Sequence, residues 1–301
     1  MPELPEVETT LRGIRPHLQG ETIERLIVRD ARLRWPIPAA LPEQLKGCRI
    51  ETLRRRGKYI LMGLQRSGAG EGGNPDGRDS ARASQASFSP QAVSPGGTLI
   101  FHLGMSGSLR ITEAASPPRK HDHYDLTLPS GLCLRFHDPR RFGCLLWTGD
   151  DPGLHPLIAP LGVEPLEEGF DGRLLYDRSR GRSAAVKTLI MDSHVVVGVG
   201  NIYASESLFR AGIAPQRGAG RISLDRYRRL AAAIKGVLAA SLEQGGTTLR
   251  DFVNESGSPG YFKQTLNVYD RAGAPCRVCG QPIQVSRLGQ RSTYWCARCQ
   301  R

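Results

Sequence analysis

Val7, Leu11, Ile14 and Leu18 recur at helical spacing, Pro5 suits a first helical turn and Gly20 can end it, so the chain opens with an amphipathic helix. From Thr22 to Thr148 the pattern changes to short β-rich runs, at Thr22 to Val28, Arg49 to Leu64, Thr98 to Ile111, Tyr124 to Leu128 and Leu132 to Trp147. Pro129-Ser130-Gly131 marks a hairpin turn between the last two. Strands of this kind with irregular connections predict a two-sheet β-sandwich or barrel. Residues 67–97 are nearly all Gly, Ser, Ala, Pro and polar side chains, too poor in apolar surface to order themselves, and are read as a disordered hairpin insertion. The flanking strands can still pair across it at modest entropic cost.

A Pro- and Gly-containing linker over 148–165 leads into helical patterns. Val186, Leu189 and Ile190 make one short face, Asn201 to Ala211 is closed by Gly212, and Leu230, Ile234, Val237, Leu238 and Leu242 mark a longer helix stopped by Gly245-Gly246. The predicted organisation is an N-terminal β-sandwich domain over 1–147, the linker, a helical domain over 166–266 and a terminal module over 267–301. The fold class is α+β.

In that last module Cys276, Cys279, Cys296 and Cys299 form C-x2-C-x16-C-x2-C, a spacing that lets two knuckles converge on one tetrahedral zinc. A closed four-thiolate site leaves no open position for water, so the zinc is structural. Residues 271–301 carry six arginines and no acidic residue, which suits a polyanion-binding finger; a solvated ribbon with incidental arginines is the bland alternative. The whole chain is basic, with a net charge of +12, and a phosphate backbone is the commonest partner for such a charge. The chain lacks an apolar run of membrane-spanning length and a signal-peptide pattern at its start, so a cytoplasmic protein is expected. Cys48, Cys133 and Cys144 are scattered and read as ordinary core or strand residues.

Met1-Pro2 favours removal of the initiator methionine, leaving proline's secondary amine as the chain terminus. An α-amino group has a pKa of about 8, so an appreciable fraction is neutral at pH 7, and a secondary amine condenses with a sugar aldehyde carbon to an iminium ion. By itself that terminus would be unremarkable.

Pro2-Glu3-Leu4-Pro5-Glu6-Val7-Glu8 resembles the N-terminal signature of the formamidopyrimidine-DNA glycosylase family. The resemblance recurs at Arg56-Gly57-Lys58-Tyr59, 102–107 (HLGMSG), Lys120-His121-Asp122-His123, 138–143 (DPRRFG), 198–203 (GVGNIY), 259–262 (PGYF) and the cysteine module, covering essentially the whole chain except residues 67–97. It implies a bifunctional glycosylase and AP lyase of base excision repair acting on double-stranded DNA that contains oxidised purines. In that scheme Pro2 attacks C1′, displaces the base and forms a Schiff base that undergoes β- and δ-elimination. Glu3 acts on the deoxyribose and Lys58 donates a proton in β-elimination. Arg291 is the finger arginine assigned to δ-elimination; because guanidinium scarcely releases a proton near neutral pH, stabilising phosphate and leaving-group charge is the better physical role.

The resemblance also implies that Met105, Arg140 and Phe142 fill the void left by a flipped base, and that His121, Arg182, Lys187 and Asn201 contact phosphates or flank the lesion pocket. Gly198 to Asn201 belongs to a helix-two-turn-helix motif, and the loop around 258–262 resembles one that closes over the flipped base. One structural zinc is expected, and nothing suggests an obligate oligomer, so a monomer is expected. Two alternatives stand beside this reading. Endonuclease VIII shares the proline nucleophile and favours oxidised pyrimidines, but its start reads Pro-Glu-Gly-Pro-Glu, where this chain has Leu4. A zinc-ribbon DNA-binding protein without catalysis would need none of Pro2, Glu3 and Lys58 in combination.

Overall fold

The computed structural model describes residues 2–66, 95–245 and 266–301. Helix α1 (Leu4–Leu18) starts as the spacing predicts, with Pro5 in its first turn, where a missing N–H costs nothing, and with Gly20 in a left-handed conformation just past its end. Its buried face, Val7, Leu11, Ile14 and Leu18, joins the main core.

Among the described residues the strands form three sheets. β1 (Arg25–Val28), β6 (Asp122–Thr127), β7 (Leu132–His137) and β5 (Ser108–Glu113) make one antiparallel sheet, in that order. β2 (Cys48–Arg56), β3 (Tyr59–Arg66), β4 (Pro95–His102) and β8 (Cys144–Thr148) make the second. Their apolar faces meet α1 in one core that includes Ile50, Met62, Phe101, Tyr124, Leu134 and Phe136, which is the β-sandwich expected from the short β-rich runs. The runs Arg49 to Leu64, Thr98 to Ile111 and Leu132 to Trp147 each prove to be two strands, broken at Gly57, at the 103–107 loop and at the 138–143 loop. The polar break residues carry the turns, and those turns carry the candidate chemistry. β3 and β4 pair across the insertion, Tyr59 opposite His102. Residues 95–97, assigned to the insertion, belong instead to β4: Gly96 and Gly97 lie so close to β3 and Trp147 that no Cβ would fit. Residues 67–94 and the 258–262 loop fall outside the described residues. Cys48, Cys133 and Cys144 are buried strand residues, as expected.

The stretch read as a linker is packed rather than free: Ile158 and Leu161 cover Leu61 and Ile100 on the outer face of the second sheet. The second core is helical, built from α3 (Gly172–Ser179), α4 (Val186–Met191), α5 (Asn201–Arg210) and α6 (Leu224–Glu243). The short helices α2 (Leu41–Leu45) and α3 escape a periodicity reading because one or two turns carry too few apolar repeats. The third sheet is the two-stranded hairpin of β9 (Gln284–Leu288) and β10 (Arg291–Trp295). Among the described residues no helix is long and apolar enough to cross a membrane.

Candidate active site and nucleic-acid interface

Glu3 sits where the two large units meet. Its carboxylate, 2 % exposed, accepts backbone hydrogen bonds from Gly200 (2.9 Å), Ile202 (3.2 Å) and Tyr203 (3.4 Å), the N–H groups at the start of α5 that have no partner within the helix. Two glycines make this approach possible. A Cβ on Gly200 would lie 2.2 Å from the Glu3 carboxyl carbon, and one on Gly198, which has φ +78°, would lie 2.5 Å from Leu4 Cβ. Leu4 N–H also donates to the Gly198 carbonyl at 3.1 Å. The amino-terminal segment, with buried Pro2 and Glu3, is therefore docked onto the start of α5 by backbone contacts. Behind it Glu6 accepts from Glu3 N–H (2.8 Å) and from Tyr203 Oη–H (2.6 Å), while Tyr203 Oη lies 2.7 Å from Ser241 Oγ. Burial raises the Glu3 pKa against the opposing pull of Lys58, and Glu6 raises it further.

Lys58 lies with Gly57 in the two-residue turn between β2 and β3. Gly57 N–H donates to Glu164 at 2.7 Å, and Glu164 also holds Arg55 (2.6 Å) and Arg56 (3.1 Å), so one buried carboxylate fixes the turn. Burial lowers the Lys58 pKa; Glu3 and Glu6 oppose that shift and Arg291 adds to it. Glu3, Glu6, Lys58 and Arg291 thus share one electrostatic neighbourhood.

Arg291 stands on the finger hairpin directly after the two-residue turn Gly289-Gln290, whose φ values of 53° and 60° are those of the type I′ turn that matches strand twist. Arg182, Lys187 and Arg291 line one cleft of about 340 Å³ between α4 and the hairpin. Lys187 is 1 % exposed and gives hydrogen bonds to Thr293 Oγ1 (2.8 Å) and the Ser292 carbonyl (3.2 Å). Burial lowers its pKa to about 8. Asn201 Nδ2 also donates to the Ser292 carbonyl, at 2.9 Å, so both side chains hold the strand that begins at Arg291. Arg182 is half-exposed and 3.6 Å from Asp192.

The remaining sites gather on the sandwich loops. Met105 is partly buried, Phe142 is 44 % exposed, and the Arg140 guanidinium lies 5.1 Å from the centre of the Phe142 ring. His121 adopts a left-handed φ of 74° in a turn where Arg119 N–H donates to Asp122 at 2.7 Å. Tyr59 facing His102 in the register puts the Lys58 turn beside the start of the Met105 loop.

The four finger cysteines bring their sulfurs within 4.8 Å of one another, with separations of 3.5 Å and 3.9 Å between Cys279 and Cys296 and between Cys276 and Cys299. A tetrahedral zinc thiolate site has edges of about 3.8 Å, given a Zn–S bond of ~2.3 Å, so this cluster fits one structural zinc. The finger is tied to the helical core by Glu206, whose carboxylate accepts from the backbone N–H groups of Asn267, Val268 and Tyr269, each at 2.9 Å. Gln300 spans the same junction, accepting from Cys296 N–H and donating to the Ile213 carbonyl, both at 2.9 Å.

Sequence reading did not find Glu6, Glu164, Glu206 or Asp138. Glu6 alone carried a signal, its three-residue spacing from Glu3 at a helix start. Glu164 and Glu206 act on groups distant in sequence, and Asp138 joins its own turn at Arg140 and Gly143 to the distant Ser106.

Three family models together account for most of the chain: the formamidopyrimidine-DNA glycosylase N-terminal domain over residues 1–145, the H2TH domain of the same enzyme over 161–253, and the zinc finger found in FPG and IleRS over 273–301. The chain belongs to the formamidopyrimidine-DNA glycosylase family. It is 60 % identical over 301 residues to formamidopyrimidine-DNA glycosylase of Methylococcus capsulatus and 54 % identical to that of Stutzerimonas stutzeri, each aligned over all of both chains. Among solved structures it is similar to MutM (Fpg) of Thermus thermophilus, with a TM-score of 0.79 and 36 % identity over 99 % of this chain and 98 % of the other. A Lactococcus lactis Fpg bound to Fapy-dG-containing DNA matches with a TM-score of 0.80 and 27 % identity over 99 % of this chain and all of that one. Membership makes the chain a DNA glycosylase with AP-lyase activity, and its finger a zinc finger.

Proposed function

We propose that this chain excises oxidised purines from double-stranded DNA with Pro2 as the nucleophile and then cuts the strand by β- and δ-elimination. The observation that carries this is the docking of Pro2-Glu3 onto the start of α5 within the field of Lys58 and Arg291. The neutral Pro2 amine attacks C1′, the N-glycosidic bond breaks, and the base leaves with its electron pair and takes up a proton. Glu3, whose pKa is raised by burial, keeps a proton available at higher pH than an ordinary carboxyl and can deliver it to the ring oxygen as the sugar opens to the iminium ion. Loss of the C2′ proton then breaks the C3′–O bond, with Lys58 supplying a proton to the departing side. Loss of the C4′ proton breaks the C5′–O bond, where Arg291 stabilises the phosphate charge. Zinc supplies no chemistry and holds the finger in shape.

His121, Arg182, Lys187 and Asn201 position the phosphate backbone, Lys187 and Asn201 by fixing the finger strand that begins at Arg291. Met105, Arg140 and Phe142 fill the void left by the flipped base. One chain carries every group invoked, so a monomer suffices, and the cytoplasm is its place of action. The test is a comparison of excision from 8-oxoguanine and thymine glycol duplexes. Faster 8-oxoguanine excision, leaving phosphates at both ends of the gap, is expected. A preference for thymine glycol would assign the chain to the pyrimidine-directed reaction instead.

A further inference from the structure

Two of the sandwich loops hang on a single carboxylate. Asp138, between β7 and β8, is 0 % exposed. Its Oδ1 accepts from Ser106 Oγ–H at 2.7 Å and from the Arg140 backbone N–H at 3.2 Å, and its Oδ2 accepts from Gly143 N–H at 2.8 Å. Ser106 directly follows Met105, while Arg140 and Gly143 bracket the turn that presents Arg140 and Phe142. The main chain of Asp138 extends the same knot: its N–H donates to the His121 carbonyl at 3.0 Å, and its carbonyl lies 2.8 Å from His123 Nε2. The loops also touch without slack. Gly104 has φ +65°, and a Cβ there would lie 2.4 Å from both Gly143 N and the Phe142 carbonyl carbon. On its other side the Gly104 N–H donates to His102 Nδ1 at 2.9 Å.

We infer that Asp138 is a positioning residue that locks Met105, Arg140 and Phe142 into one unit and thereby sets the preference for cytosine opposite the lesion. This rests on the proposed role of the trio in filling the void. The preference follows from the pairing edges. Cytosine offers two adjacent acceptors, O2 and N3, whereas adenine offers N1 beside a donor amino group. A guanidinium has only donors, so it favours cytosine when its aim is fixed. Arg140 gains that aim from Phe142, over whose ring it lies, and from Asp138, which fixes the turn beneath both. Once one anchor is lost, the Met105 wedge and the Arg140 donor shift independently, and the opposite base is read with a loose tool.

The test measures single-turnover excision of 8-oxoguanine opposite cytosine and opposite adenine. The proteins are wild type, Asp138→Asn, Ser106→Ala and Arg140→Ala, each rate normalised to borohydride trapping on single-stranded abasic DNA, which has no opposite base. Asp138→Asn keeps the shape but replaces one acceptor by a donor, and Ser106→Ala removes a single anchor. Both are expected to lower the cytosine-to-adenine ratio by roughly tenfold, the scale of one misaimed bidentate contact. A wild-type ratio in both variants, with the two rates falling together, would reduce Asp138 to a structural residue and overturn the inference. Arg140→Ala separates the two levels of argument. If it collapses the ratio and the Asp138 and Ser106 variants do not, only the Asp138 inference fails. If it too keeps the wild-type ratio, the void-filling assignment fails with it. Should Asp138→Asn not accumulate as folded protein, Ser106→Ala decides the question.

Discussion

Glu3 accepts the Gly200 backbone N–H at 2.9 Å across 197 positions of chain, joining the first turn of the protein to the helix-two-turn-helix unit. The absence of a side chain on Gly200 permits that contact, since a Cβ there would overlap the carboxylate at 2.2 to 2.6 Å. Gly200→Ala is therefore expected to displace Glu3 and Pro2 together. A misplacement of about 1 Å costs on the order of a hundredfold in rate. Single-turnover excision should fall by that order, while zinc content, measured alongside, stays at one per chain.

His102 Nδ1 accepts the Gly104 N–H, which requires a neutral ring, and burial lowers the His102 pKa to about 4. Between pH 6.5 and 4 the unfolded chain binds a proton at this residue that the folded chain does not, so stability falls with pH across that window. The shift corresponds to about 3 kcal/mol at its fullest. Urea unfolding at pH 7 and pH 5 should show a smaller loss for His102→Gln than for wild type. Equal losses would remove His102 as the source.

Lys58 has a pKa lowered by burial and by Arg291. A proton donor loses activity as pH rises through its pKa, so the alkaline decline of β-elimination on a preformed abasic site should lie below the free-lysine value of about 10.5. In Lys58→Gln the rate should be lower at every pH and that decline should vanish. A decline that persists unchanged would assign it to another group.

The N-terminal helix, the sandwich and the cysteine knuckles were legible because each writes a local rule into the sequence: a 3.6-residue repeat, short β-rich runs, a C-x2-C spacing. The resemblance supplied candidate residues for the site, not their arrangement. Lys187 carries the limit most plainly. The resemblance puts it at a phosphate or beside the lesion pocket, and only the fold shows that its ammonium is held by Ser292 and Thr293, more than a hundred positions away. The partners of Glu164 and Asp138 escaped for a related reason: Glu164 joins Gly57 N–H and two arginines more than a hundred positions away, and Asp138 adds Ser106, 32 positions away, to its own turn.

Glu206 joins the finger to α5 through three backbone donors, two of which serve one oxygen. Glu206→Ala leaves those N–H groups without their acceptor, at a cost of about 1 to 3 kcal/mol for each that stays buried. The finger should loosen before the sandwich does. Limited proteolysis should cut near residue 267 faster than in wild type, and zinc should pass more quickly to a chelator.

Zinc removal tests the finger from the other side. Chelation should abolish strand cutting and duplex binding by freeing Arg291 and the strand that Lys187 and Asn201 hold. The circular dichroism of the sandwich should persist, and readdition of zinc should restore cutting.

The nucleophile is tested most directly by intact-mass measurement of the protein after borohydride reduction on a duplex containing 8-oxoguanine. The expected product is wild-type chain lacking Met1 with one covalently attached DNA fragment at its terminal amine, and no adduct for Pro2→Gly. An adduct mapped to Lys58 or Lys187, or no adduct at all from wild-type protein that has lost Met1, would show that Pro2 is not the attacking group.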